Sequence, residues 1–227
     1  MRIITGFVFA CLSLSHAALA QVPPSDLELR SYAGLHAAAA KGDSTAIERL
    51  IASGEKPNIQ DSRSRTPLHV AAFAHQHAAA RTLLALGADP NALEFQKYDI
   101  ITIAAVENDP DMLKIALTGG AKATNITSPY NGTALIAAAH LGHDEIVRIL
   151  IAAKAPLDHV NNLGWTALIE SIVLGTGGKG HTDTLAALVK AGANVSLPDR
   201  SGASPLTLAK GRGYAAMVKI LEAAGAK

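Results

Sequence analysis

Apolar and polar positions follow a pattern that recurs about every 33 residues along the chain. Each recurrence contains a short apolar stretch with a central leucine or isoleucine beside alanines, as in "TPLHVAAFAH". The central residues, called anchors below, are Leu35, Leu68, Ile101, Leu135, Leu168 and Leu206, separated by 33, 33, 34, 33 and 38 residues. A nearly constant period of this length predicts a stack of similar structural units.

A second motif follows each anchor, as in "LLALGADPN". Its glycine position lies 19 residues after the anchor in every unit except the fifth, where the distance is 24. Pro67 and Pro205 follow Thr66 and Ser204, which is the arrangement of a capped helix start. A further recurring position lies where the first of the two predicted helices in a unit ends, and a residue with left-handed backbone conformation is expected there. That position holds Gly42, His75, Asn108, Gly142 and Gly213.

These motifs resemble the ankyrin repeat, whose T-P-L-H-x-A-A…G-A-D-x-N signature is almost intact in residues 66–91. The resemblance covers about residues 30–227. It implies an all-α fold, a curved solenoid of about six helix–turn–helix units with β-hairpin fingers. Unit 1 lacks Thr-Pro, unit 3 has Ile-Ile-Thr in place of Pro-Leu-His, and unit 6 stops at Lys227 without a final hairpin. The departures at the two ends fit capping units.

The N-terminal stretch predicts export. Residues 1–20 contain Arg2, then an apolar run, then a small-residue site, which is the layout of a secretory signal peptide. Cleavage between Ala20 and Gln21 would place the mature protein in the periplasm or outside the cell. A lipid-modified Cys11 is the alternative interpretation.

The mature chain divides into a lead-in and one repeat domain. Residues 21–32 form an N-terminal cap in which Ser25 and Glu28 resemble a capping box. This start predicts that the first helix of unit 1 begins early and shields the end of the solenoid. The repeat domain spans residues 33–227, with units at about 33–65, 66–98, 99–132, 133–165, 166–203 and 204–227.

Composition excludes several classes of protein. Without residues 1–20 the chain has 19 basic and 19 acidic residues and no cysteine. A net charge near zero argues against a nucleic-acid partner, and the missing thiol means that folding needs no disulfide. No segment is long and apolar enough to predict a transmembrane helix. We expect a monomer.

Nine histidines raise the question of a metal or catalytic site. His36, His69 and His143 fall on motif positions, where the resemblance implies hydrogen bonding between neighbouring units. His75 and His77 lie at an inter-helix turn, where we expect a solvated pair, because no nearby acid or cysteine completes a ligand set.

A glycine-rich stretch, "GTGGKG" at 175–180, coincides with the longer unit 5. It fails the phosphate-loop pattern because Gly180 follows Lys179, so we expect a flexible inter-helix loop. The sequence therefore predicts no catalytic, cofactor or metal site and no enzyme.

Aromatic residues point to a binding surface. The resemblance implies partner contacts at the fingers and late in each first helix. Phe95, Tyr98 and Trp165 should form a finger strip, with Tyr130 between them, that does not contribute to the core. The residues predicted to bind a partner are Tyr32, Lys41, Arg63, Arg65, Phe73, Phe95, Tyr98, Glu107, Tyr130, His140, Trp165 and Arg212, the charged ones and His140 forming a polar rim.

We therefore expect an exported protein–protein interaction module. Its partner would be another protein of the cell envelope. The module would act as a scaffold for this partner, or as an inhibitor or protector of a periplasmic enzyme. The alternative is a histidine-dependent metalloprotein or hydrolase that uses the pairs His75/His77 or His140/His143.

Overall fold

The computed structural model describes residues 21–227, and the predicted signal peptide lies outside this range. Its helices are short and follow one another in pairs. They are α1 (Asp26–Ser31), α2 (Gly34–Lys41), α3 (Ser44–Ala52), α4 (Pro67–Phe73), α5 (His77–Ala85), α6 (Ile100–Val106), α7 (Pro110–Thr118), α8 (Ala134–Leu141), α9 (Asp144–Ala152), α10 (Ala167–Val173), α11 (Lys179–Lys190), α12 (Pro205–Gly211) and α13 (Ala215–Ala223). None of these helices is long and apolar enough to cross a membrane.

The helices from α2 onward stack in two layers. The even-numbered helices α2 to α12 pack on one another in chain order, and so do the odd-numbered helices α3 to α13. The anchors lie between the layers: Leu68 and Leu135 are at most 1% exposed, and Leu206 at the C-terminal end is 6% exposed. Paired alanines such as Ala104 and Ala105 are also buried, which lets neighbouring helices approach closely. The structure confirms the predicted all-α solenoid.

Local hydrogen bonds set where the first helix of each unit begins and ends. In units 2 to 6, the hydroxyl or carboxylate of the residue before the helix accepts a hydrogen bond from a backbone N–H in the first turn, which satisfies a donor that the helix leaves unpaired. These caps are Thr66, Asp99, Thr133, Thr166 and Ser204. The predicted left-handed position is confirmed, since Gly42, His75, Asn108, Gly142 and Gly213 all have φ between 52° and 72°.

Between units the chain makes a tight turn, here called a finger. Fingers 1 to 5 span residues 61–65, 94–98, 127–132, 161–165 and 199–203. A polar side chain closes each one by accepting hydrogen bonds from two backbone N–H groups of the same turn; these side chains are Asp61, Glu94, Ser128, Asn161 and Asp199. Backbone hydrogen bonds join successive fingers, for example from the Asn162 N–H to the Tyr130 carbonyl at 2.9 Å. Within the described residues, only Thr127 and Gly132 form a β-bridge.

The N-terminal lead-in packs on finger 1. Ser25 and Glu28 form the predicted capping box, but it starts a separate helix, α1, rather than an early start of α2. Arg65, predicted on the polar rim, is fully buried: its guanidinium donates to Asp61 Oδ2 at 2.7 Å and to Glu28. The prediction of an exposed Arg65 is wrong because α1 covers this side of finger 1.

The acidic partners of Arg65 favour their charged forms. The pKa of Glu28 is lowered to about 2, first by hydrogen bonds from the backbone and hydroxyl of Ser25 and then by Arg65. Burial alone would raise the pKa of Asp61, but hydrogen bonds from Tyr32 and Arg65 lower it overall. The stabilisation from Glu28 is therefore present above its ordinary pKa of 4.5 and is lost as the pH falls through about 2.

The extra residues of unit 5 lengthen both a helix and the loop before it. Helix α11 has 12 residues, against 9 in α9, and begins at Lys179 within the glycine-rich stretch. A side chain at Gly180 would lie 2.6 Å from the Gly142 carbonyl oxygen, so the glycine permits close packing on unit 4. The hydroxyl of Tyr214 donates to the Gly175 carbonyl at 2.8 Å. The loop between α10 and α11 spans residues 174–178, against residues 142–143 between α8 and α9, so the predicted longer loop is present but ends before Lys179. Its flexibility stays a prediction.

Candidate functional site

A groove of about 480 Å³ lies along the even-numbered helices at the middle of the solenoid. Its walls come from α6, α8 and α10 and from fingers 2, 3 and 4. The lining includes Tyr98, Tyr130, Ile136, Trp165, Glu170 and Leu174. The groove is therefore mainly apolar and aromatic, with one carboxyl group among the side chains that line it.

Glu170 is exceptional within the repeat pattern. It lies two residues after its anchor, where the other five units have Ala37, Val70, Ile103, Ala137 and Leu208. It is 3% exposed. Glu170 is not among the residues predicted from the sequence, although aligning the units on their anchors shows this lone acidic residue at an otherwise apolar position.

The two carboxyl oxygens of Glu170 differ in their contacts. Oε1 accepts a hydrogen bond from the Asn161 amide at 2.9 Å. Oε2 has no hydrogen-bond partner among the described residues, and the nearest imidazole nitrogen, His140 Nδ1, is 3.7 Å away. Burial raises the pKa of Glu170 to about 7, although the hydrogen bond from Asn161 opposes the shift. A buried carboxyl group with one unsatisfied oxygen is costly unless a ligand supplies a donor.

Finger 4 holds both Asn161 and Trp165 in place. The Asn161 side-chain oxygen accepts from the backbone N–H groups of Leu163 and Trp165, each at 3.0 Å. This arrangement leaves the amide nitrogen of Asn161 to bind Glu170. Asn161 therefore has two roles: it holds the backbone of Trp165 in the turn, and it is the hydrogen-bond partner of Glu170.

The predicted aromatic strip is only partly present. Tyr130 and Trp165 are half-buried and line the groove. Tyr98 also lines it but is 6% exposed and packs in the hydrophobic core, so the prediction that Tyr98 lies outside the core is wrong.

The other predicted aromatics lie elsewhere. Phe95 is 48% exposed beneath the Arg63 guanidinium, whose carbon lies 5.1 Å from the ring centroid. Tyr32 donates from its hydroxyl to Asp61 Oδ2 at 2.7 Å. Phe73 is half-buried against the core.

The predicted polar rim is spread along the molecule. Lys41, Glu107 and Arg212 are exposed, and Arg63 is half-buried with its guanidinium 3.3 Å from Glu28. Of the rim residues, the groove includes His140 only. The structure therefore brings Tyr98, Tyr130, His140 and Trp165 together around Glu170.

The motif histidines join neighbouring units, as predicted. The His36 ring contacts the Arg65 carbonyl at 2.8 Å, and the His69 ring contacts the Tyr98 carbonyl at 3.2 Å. Burial lowers the pKa of His69 to about 4, which keeps the ring neutral near pH 7. His143 contacts the carbonyl of Ala105 at 2.9 Å.

His75 and His77 are not the solvated pair that we predicted. Their ring nitrogens lie 2.8 Å from Asp109 Oδ2, the carboxylate that caps α7 in the next unit. Burial alone would raise the pKa of Asp109, but hydrogen bonds from His75, the Met112 N–H and His77 lower it overall. The partner was missed because it is more than 30 residues away along the chain. No cluster suited to a metal ion occurs in residues 21–227.

A family model described as ankyrin repeats (3 copies) matches residues 14–98 and 101–199. The ankyrin-repeat protein YahD of Escherichia coli K12 is 34% identical over 125 residues, which are 55% of this chain and 62% of YahD. The chain thus aligns with less than two thirds of that relative.

Solved structures agree with this match. An ankyrin repeat domain from Acinetobacter baumannii AYE is 42% identical with a TM-score of 0.81, covering 85% of this chain and 98% of the domain. The ankyrin repeat domain of Bcl-3, a member of the IkappaB protein family, is 29% identical with a TM-score of 0.77, covering 87% of this chain and 88% of the other. The repeated units, their stacking and the family match together establish that the chain belongs to the ankyrin-repeat family.

Proposed function

We propose that the chain is an exported, non-enzymatic module that holds a protein of the cell envelope in the groove at the middle of its solenoid. Its ankyrin repeats indicate a protein–protein interaction module. A monomer would bind this partner as a scaffold, or as an inhibitor or protector of a periplasmic enzyme.

The observation that carries the proposal is the pair of half-buried aromatics, Tyr130 and Trp165, around an apolar groove. Tryptophan and tyrosine dominate binding hot spots because they bury a large area at a small entropic cost. Leu163, which also lines the groove, is 38% exposed. Covering these side chains would remove apolar surface from water.

The first test truncates the central aromatic. Trp165→Ala should weaken binding of the partner by roughly 2 kcal/mol, about thirtyfold, because Trp165 would anchor the interface. The partner is first trapped in living cells by a photocrosslinking amino acid at position 130, and affinity is then measured with purified proteins.

A matched variant tests whether the effect is specific to the groove. Ile126→Ala truncates an apolar side chain that is 47% exposed and outside the groove lining, so it should leave the affinity unchanged. Both variants should melt near the wild-type temperature. A folded Trp165→Ala protein with wild-type affinity for the crosslinked partner would refute the proposed function.

Export has its own test. We expect the mature N-terminus at Gln21, because Ala18 and Ala20 supply the small residues that a signal peptidase requires. Mass spectrometry of the protein from the cell envelope should find this terminus, and Ala18→Leu should cause the uncleaved form to accumulate. An intact Met1 or a lipid-modified Cys11 in the folded protein would contradict cleavage at this site.

A further inference from the structure

We propose that the groove selects an extended partner segment in which one lysine or arginine lies between apolar residues, with the cation paired to Glu170. This inference rests on the proposed function, since it specifies the chemistry of the segment that the groove would hold.

The polar groups of the groove leave Glu170 in need of a hydrogen-bond donor, which a cation supplies strongly. Glu170 brings one carboxyl group, and none of the described residues that line the groove is a lysine or arginine. Two side chains stand close to its carboxyl group, Asn161 on Oε1 and His140 on the Oε2 side. Because the His140 nitrogen is 3.7 Å away, beyond hydrogen-bonding distance, Oε2 still needs a donor.

The contacts of Glu170 also limit how many donors it can accept within the groove. Oε1 is already bonded to Asn161, so Oε2, which is buried in the wall of the groove, is the oxygen that lacks a partner among the described residues. A single ammonium or guanidinium group would satisfy it by a charge-assisted hydrogen bond. The partner segment is therefore expected to carry one basic residue at this point, rather than a basic cluster.

Apolar surfaces flank the carboxyl group. Ile136 and Leu174 line the groove together with Glu170, and Tyr130 and Trp165 contribute rings. These side chains would pack on apolar neighbours of the basic residue and on its aliphatic stem. An aromatic ring also attracts a nearby cation through its negative face.

One non-helical residue of the chain forms part of the groove wall. Residues 21–25 have no helical or strand structure, yet Gln21 is only 7% exposed and lines the groove. A volume of about 480 Å³ is that of a pocket for a few side chains rather than for a folded domain. The occupant is therefore expected to be a short extended segment.

The test uses a phage-displayed library of random 12-residue peptides, selected in parallel on the wild-type protein and on Glu170→Gln. Glutamine preserves the shape of the side chain and removes its charge. Wild-type selections should converge on one lysine or arginine between apolar positions. Selections on Glu170→Gln should keep the apolar positions and lose the basic one.

Synthetic peptides then isolate the ion pair. Replacing the selected lysine by norleucine, or the selected arginine by citrulline, should weaken binding to the wild-type protein at least tenfold and change binding to Glu170→Gln less than twofold. Trp165→Ala should weaken every selected peptide, and a circular dichroism spectrum checks that each variant is folded.

The outcomes separate this inference from the proposed function. Peptides that depend on Trp165 but show no basic preference would overturn the pairing with Glu170 and leave groove binding intact. Selected peptides that ignore both Trp165 and Glu170, or selections that yield no binder, would overturn both the inference and the groove as a peptide site.

Discussion

Arg65→Ala should lower the free energy of unfolding of the N-terminal repeats by about 3–5 kcal/mol, as expected when one partner of a buried ion pair is removed. The substitution deletes a fully buried guanidinium and leaves Asp61 and Glu28 without it. Asp61 would remain largely buried, with 9% of its side chain exposed. Because repeats contact mainly their neighbours, a separate early transition of α1 to α4 is expected in urea, monitored by circular dichroism.

Arg63→Ala is the matched control for this prediction. The Arg63 guanidinium also reaches Glu28, at 3.3 Å, but its side chain is 41% exposed. An exposed ion pair contributes little, so the free energy of unfolding should change by less than about 1 kcal/mol. Equal effects of the two substitutions would contradict the role assigned to the buried position.

The second large effect is the dependence of stability on pH through Glu170. Its pKa rises from an ordinary 4.5 to about 7 on folding, so between these values the folded state holds a proton that the unfolded state releases. Stability must therefore fall as the pH rises through this window. Since a tenfold change in proton affinity corresponds to about 1.4 kcal/mol, the wild-type protein should lose about 3 kcal/mol relative to Glu170→Gln between pH 4.5 and pH 7.

The free energy of unfolding of the wild-type protein and of Glu170→Gln is measured by urea denaturation across this pH range. The buried carboxyl groups of Glu94 and Asp99, whose pKa values are also raised by burial, are present in both proteins and cancel in the comparison. His140→Gln should retain the fall, because burial rather than the imidazole raises the pKa of Glu170. Parallel stability curves for wild type and Glu170→Gln would refute the assignment of a high pKa to this residue.

The aromatic part of the candidate groove was predictable from sequence, and its polar part was not. The repeat pattern placed Trp165 in a finger and Tyr130 beside it, and both line the groove. Glu170 is visible as an odd residue only when the units are aligned. Within the described part of the chain, its Oε2 lacks a hydrogen-bond partner because Asn161, on a finger, binds the other oxygen and His140, on a neighbouring helix, lies too far away. Neither position can be read from the sequence of unit 5 alone.

Burial of single side chains was the least predictable property. Arg65 and Tyr98 both occupy finger positions that are partner contacts in the ankyrin pattern. Helix α1 supplies Glu28 to Arg65, and Tyr98 packs in the hydrophobic core. A residue's position in a repeat does not reveal whether the preceding or following element buries its side chain.

By itself, the sequence determined the number of units, their anchors, their helix caps and their left-handed turns. These features depend on interactions within one unit, such as Thr66 with the first turn of α4, which units 2 to 6 each encode locally. The tertiary structure decided which charges are buried and paired, as in Arg65 with Glu28, His77 with Asp109, and Glu170 with Asn161. Those contacts join distant points of the chain, and burial depends on the surfaces that neighbouring elements cover, so only the packed solenoid fixes them.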